Sequence, residues 1–125
     1  MNKGASKTLK TNPSKINNVN TKFITIFGFD GCGYYNAALD KLDAYVRKYN
    51  ASTKFKSYKL KLVKHCVNRT MWPSIIRTYA SNVGLSHTTS PLIFFESTYI
   101  GGHDALVVEL DKIKPFGILW THTRY

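Results

Sequence analysis

The stretch "KFITIFGFDGCGYYNAALDKLDAY", residues 22–45, constrains the chain more than any other, because two hydrophobic periods meet in it at a single cysteine. From Lys22 to Phe27 the β-formers Phe23, Ile24, Ile26 and Phe27 make a near-continuous apolar run that stops at Gly28, as in a buried strand. Beyond Gly33, Tyr35, Ala38, Leu39, Leu42, Tyr45, Val46 and Tyr49 recur at helical spacing with charged residues between them, so an amphipathic helix is expected to about Tyr49. Cys32 sits at the junction, flanked by Gly31 and Gly33. A strand leading directly into a helix is the first half of a βαβ unit.

The remaining pattern continues that unit. "FKSYKLKLV" (55–63) sets Tyr58, Leu60 and Leu62 against Lys59 and Lys61, the alternation of a strand with one wet face or edge, expected to run parallel to the first. Cys66 then falls just past its carboxyl end, where its default role is that of a small core hydrophobe. A second helix fits "WPSIIRTYASNV", with Pro73 in its first turn, Ile75, Ile76, Tyr79 and Val83 on one face, and Gly84 beyond its end. "PLIFF" (91–95) and "YI" (99–100), joined by the polar turn 96–98, read as a hairpin, and "GGHDALVVELDKI" opens a last helix. The order β-α-β-α-β-β-α predicts an α/β domain with a four-stranded mixed sheet covered by helices.

With 125 residues, 43% of them hydrophobic, the chain is one domain's length and can bury a core without staples. Residues 1–20, rich in Lys, Asn, Ser and Thr, lack the apolar groups that offset ordering, so a flexible basic tail is expected there, followed by a domain over 21–125. A transit peptide is the alternative reading of that tail, although it contains no arginine. Two cysteines without a secretory apolar segment point to a reducing compartment, the cytoplasm, with the mitochondrion second; the sequons at Asn50 and Asn68 then carry no weight. The Lys-, Asn- and Tyr-heavy composition suggests an AT-rich genome such as that of a large DNA virus, which would make the compartment the host-cell cytoplasm. No apolar run reaches membrane-spanning length. The formal charge of +11 favours anionic partners: nucleic acid, acidic proteins or glutathione.

The chemistry follows from position. A thiol at a helix start faces unpaired backbone N–H groups and the positive end of the helix dipole, which favour thiolate, the attacking species. Gly31 and Gly33 let the chain turn sharply and leave one side of the sulfur open. The competing reading is an inert buried cysteine. Tyr35 stands where a resolving thiol would be in a dithiol site, so the site is monothiol by sequence, with Cys66 as the sole internal alternative for resolution.

Three motifs in this order resemble the glutaredoxin family of thioredoxin-like folds. "CGYY" (32–35) resembles the family's CPYC or one-cysteine CGFS, "TSP" (89–91) its TVP with a cis proline, and "YIGGHDAL" (99–106) its IGGxxDL stretch. Together they span Phe23 to Leu110. The resemblance implies a monothiol, glutathione-dependent thiol–disulfide oxidoreductase with Cys32 as nucleophile. It further implies a glutathione site formed by Tyr34, Thr89, Ser90, Pro91, Gly102, His103 and Asp104, with Arg77 offering a cation for the glycine carboxylate. Ser90 would pair with the cysteinyl part of glutathione, and Asp104 with the γ-glutamyl ammonium. The family's lysine three before the cysteine is replaced by Phe29, followed by Asp30, which weakens the support for a thiolate; Ala105 replaces a family acid. His103 reads first as a solvated turn residue, with ligand contact second, and for Arg77 a solvated helix face is an equal alternative.

Two non-catalytic readings stand beside this. One-cysteine relatives can hold a [2Fe–2S] cluster between two subunits with cysteine and glutathione as ligands; the chain would then be a dimer rather than a monomer, and no metal is expected otherwise. Alternatively the basic run "KFKSYKLKLVKH", with Lys54, Lys56, Lys59, Lys61 and Lys64 around Phe55 and Tyr58, binds nucleic acid.

Overall fold

The computed structural model describes residues 20–52 and 58–118; the expected tail over 1–20 therefore lies outside the described residues except for Asn20. Seven elements follow in chain order: β1 (Asn20–Phe29), α1 (Gly33–Ala51), β2 (Tyr58–Val67), α2 (Trp72–Tyr79), β3 (Leu92–Phe95), β4 (Thr98–Gly101) and α3 (His103–Leu110). The sheet order is β2-β1-β3-β4, with β1 parallel to β2 and antiparallel to β3, and β3 antiparallel to β4. The described residues thus form an α/β fold with a four-stranded mixed sheet and three α-helices.

Alternation along β1 explains the layering. Ile24 and Ile26 point to the face covered by α1 and α3, where they join Ala38, Leu42, Ile93 and Leu106, all fully buried. Phe27 points the other way and packs with Trp72, Ile76, Ala80 and Leu92 beneath α2. A strand with apolar partners on both faces reads as a continuous run, which is why β1 is legible without alternation. Each fully buried Ile or Leu contributes about 1.5–3 kcal/mol relative to exposure.

The elements depart from the sequence reading at several ends. Helix α2 stops at Tyr79 instead of Val83: Ala80 leaves helical geometry (φ −125°, ψ −65°), and Ser81–Val83 form a separate 3-10 turn closed by Gly84. Val83 is accordingly exposed, whereas Tyr79, though partly exposed, keeps its ring 4.4 Å from that of Phe27. Strand β2 runs to Val67, so Cys66 lies inside it, opposite Gly28, and not past its end. Cys66 is also exposed, since β2 is an edge strand, so it is not a core hydrophobe. The Asn50 side chain completes that edge: its Nδ2 donates to the Leu60 carbonyl (2.8 Å) and its Oδ1 accepts from the Leu60 N–H (3.0 Å), as a neighbouring strand would.

Among the described residues the lysines of the basic run divide between the two faces of β2. Strand alternation sends Lys59, Lys61 and His65 to the α2 face, where His65 stacks on Phe27, and Lys64 to the opposite face with buried Leu60. Lys54, Phe55 and Lys56 lie outside the described residues. Among the described residues no helix is long and apolar enough to cross a membrane.

Burial raises the hydroxyls of Tyr35, Tyr45, Tyr49 and Tyr58 above their ordinary value of 10.0, Tyr45 most strongly. In the unfolded chain these phenols ionise near pH 10. The folded chain holds the protons to higher pH, binds more of them over that interval, and so loses stability as pH rises through it. The melting temperature is expected to be insensitive to these groups below pH ~10 and to fall above it. Tyr45→Phe is expected to make that fall shallower; an unchanged slope would remove Tyr45 from the account.

Candidate functional site

The site is built where β1 turns into α1. The Cys32 N–H donates to the Phe29 carbonyl (3.2 Å), closing a four-residue turn whose third residue, Gly31, has φ +83°. That left-handed position is one a β-carbon would strain, so Gly31 is the glycine the turn requires. Gly33 is different: it opens the helix, and a β-carbon there would meet nothing within 4 Å. Cys32 itself is the N-cap of α1, in extended geometry (φ −84°, ψ 116°), with its carbonyl accepting from the Asn36 N–H at 3.1 Å. The Asp30 N–H, donating to the Val67 carbonyl at 2.8 Å, ties this turn to the end of β2.

Across from the turn lies the segment before β3. The Ser90–Pro91 peptide bond is cis. Cys32 Sγ is 3.8 Å from the Ser90 carbonyl oxygen, and the Ser90 hydroxyl accepts from the Phe29 N–H at 3.4 Å. Pro91 is buried. Beside these groups a cavity of about 360 Å³ opens, lined by Tyr34, His87, Thr89, Ser90, Gly102, His103, Asp104 and Ala105. Six of the residues singled out from sequence therefore meet on one cavity, with Cys32 and Pro91 adjoining through Ser90. Arg77 is exposed on α2 and is not among the lining residues.

His103 differs from the sequence reading. It is not a solvated turn residue: its side chain is 18% exposed, its ring lies 5.6 Å from that of Tyr34, and its Nδ1 is 2.9 Å from Asp104 Oδ1. A carboxylate only accepts, so Nδ1 carries the hydrogen. The buried Nε2 has no hydrogen-bond partner among the described residues. Asp104, in the first turn of α3, is 98% exposed, so its carboxylate accepts from His103 and still faces solvent.

Two residues near the site escaped the sequence reading. Arg69 sets its guanidinium 4.6 Å from the centre of the Phe29 ring, at the position where the glutaredoxin pattern has a lysine. His87 lines the cavity and bonds to the segment carrying Ser90. A lone arginine in a 3-10 turn and a lone histidine in a loop carry no periodicity or spacing that would mark them.

Tyr35 resolves the departure from a dithiol pattern. It is buried, its ring close against Gly28, with its hydroxyl raised first by burial and then by the neighbouring Cys66 thiol. The position is thus filled by an aromatic wedge between α1 and the sheet.

A larger cavity of about 660 Å³ lies on the α2 face, lined mainly by Phe27, Tyr79, Val83, Leu85, Phe94 and Tyr99. It arises because the eight residues of α2 leave part of that face uncovered, and it contains neither cysteine. Among the described residues no group of three or more His, Cys, Asp or Glu side chains is placed to hold a metal ion. Cys32 adjoins the smaller cavity through Ser90 without lining it, so a [2Fe–2S] cluster held there would draw one protein ligand from each chain. Compared with known proteins, the chain matches no family model, no curated protein and no solved structure.

Proposed function

We propose that the domain has a glutaredoxin-type thioredoxin-like fold and performs glutathione-dependent thiol–disulfide exchange through Cys32. The carrying observation is convergence: Cys32 and Ser90, 58 positions apart, meet at 3.8 Å beside a cavity lined by Tyr34, Thr89, Gly102, His103 and Asp104. An inert core cysteine needs no such opening.

In the first step the Cys32 thiolate attacks the glutathione sulfur of a mixed disulfide. The substrate–sulfur bond breaks, the substrate leaves as a thiolate that takes a proton, and a Cys32–glutathione disulfide forms. A second glutathione, as thiolate, then attacks the glutathione sulfur on Cys32, yielding oxidised glutathione and free Cys32. The two electrons come from the glutathione pair. Tyr35 cannot resolve the intermediate, so this second molecule does. The chain's own groups orient the substrate: Ser90 offers its backbone alongside the sulfur, and Asp104 offers an exposed carboxylate to the γ-glutamyl ammonium. Oxidised glutathione is expected to leave a glutathionyl adduct on Cys32, read by peptide mass spectrometry. Modification confined to Cys66 would overturn the assignment.

Arg69 supports the glycine carboxylate in this reading, in place of Arg77. Arg69→Ala is expected to raise KM for a glutathionylated peptide roughly two- to fivefold, the range of an exposed ion pair, with the increase fading at high salt. Arg77→Ala is expected to leave KM unchanged. The reverse pattern would return the role to Arg77.

A further inference from the structure

We propose that His87 is a positioning residue that aims the Ser90 carbonyl at Cys32, an inference that rests on the exchange reaction above. The carbonyls of the segment before β3 fall into two alternating sets. Thr89 O lies 2.7 Å and Pro91 O 2.9 Å from His87 Nε2. Thr88 O accepts from Trp72 Nε1 at 3.1 Å, and Ser90 O faces Cys32 Sγ at 3.8 Å. The chain bends at Thr89 and Ser90, and in that bend the Ser90 carbonyl faces Cys32 while the carbonyls on either side of it meet the His87 ring. Holding the two that flank Ser90 therefore keeps the Ser90 carbonyl turned toward the thiol.

The protonation of the ring follows from its neighbours. Carbonyl oxygens only accept, so Nε2 carries the hydrogen and shares it between Thr89 and Pro91. In the neutral ring Nδ1 is then an acceptor, and the Tyr99 hydroxyl, 2.7 Å away, donates to it. Tyr99 stands on β4, so the ring links that strand to the loop before β3, with Gly102 against its edge. Ser90 is placed through His87, which need not touch the reacting sulfurs.

The test compares wild type with His87→Phe, which keeps a ring but no donor, and His87→Gln, whose amide can donate to the same carbonyls and accept from Tyr99. His87→Phe is expected to raise KM for a glutathionylated peptide roughly tenfold. The turnover number and the rate at which iodoacetamide alkylates Cys32 are expected to stay within about twofold. His87→Gln is expected to recover most of the loss, and imidazole ¹⁵N shifts are expected to report the Nε2–H form. An unchanged KM in His87→Phe, or equal losses of KM, turnover and alkylation in both variants, would overturn the positioning role. An inactive wild type whose Ser90 and Cys32 amide signals still move in His87→Phe and not in His87→Gln would overturn the exchange reaction while supporting the clamp.

Discussion

Cys32→Ser is expected to bring glutathione-dependent reduction of a glutathionylated peptide down to the uncatalysed background, whereas Cys66→Ser is expected to keep most of it. Both steps of the exchange form or break a bond to the Cys32 sulfur, and a serine oxygen cannot take its place in a disulfide. Cys32 is the half-buried N-cap of α1, next to a cavity large enough for part of a peptide. Cys66 is exposed on the edge strand β2, near the Tyr35 hydroxyl and opposite Gly28, away from the segment that carries Ser90. Its exposure opens it to a bulky reagent on access alone, so a label on Cys66 beside one on Cys32 decides nothing, and it is activity that ranks the two thiols. A Cys32→Ser protein that turns over substrate, or a Cys66→Ser protein as inactive as Cys32→Ser, would sink the monothiol mechanism.

Gly28→Ala is expected to destabilise the fold by about 1–3 kcal/mol or more. A β-carbon at Gly28 would lie 2.0 Å from Tyr35 Cδ1, 2.4 Å from Cγ and 2.8 Å from Cε1, distances no pair of carbons tolerates. The ring cannot simply swing away, because Tyr35 is 4% exposed and packed within the α1 core. In a domain of this size each kcal/mol corresponds to about 4–8 °C in melting temperature. Tyr35→Ala removes the obstruction but leaves a cavity, costing about 3–5 kcal/mol by comparison with other large aromatic truncations. The double variant is therefore expected to be less destabilised than the sum of the two, a coupling that thermal or urea unfolding reads directly. Strict additivity would mean that the Gly28–Tyr35 approach does not limit packing. The contact bears on function because Tyr35 stands three residues after the proposed nucleophile, in the first turn of the helix that Cys32 caps.

The parts of the fold legible in sequence are those whose cause is local. The unbroken apolar run of β1 reflects burial by α1 and α3 on one face and α2 on the other. The 3.6-residue spacing from Tyr35 to Tyr49 marks the residues that α1 buries, and Pro73 and Gly84 bracket the second helical segment. The end of α2 was not legible, because Ser81–Val83 continue an apolar spacing while Ala80 leaves helical geometry to bury its side chain fully.

At the candidate site the division has the same physical basis. A glycine-flanked cysteine between a strand and a helix, a Thr-Ser-Pro segment and a Gly-Gly-His-Asp helix start are short patterns, and each can be read where it stands. What places them on one cavity is the sheet order β2-β1-β3-β4, which sets the end of β1 beside the start of β3. Sequence determined the thiol, its turn and the absence of a neighbouring resolving thiol. Only tertiary structure decided that His103 is packed against Tyr34, that Arg69 stacks on Phe29, that Cys66 faces Tyr35 from an edge strand, and that His87 grips the carbonyls flanking Ser90. Those contacts join residues from separate elements, and neither hydrophobic period nor turn chemistry encodes which polar side chains the packing of the layers brings within hydrogen-bond reach.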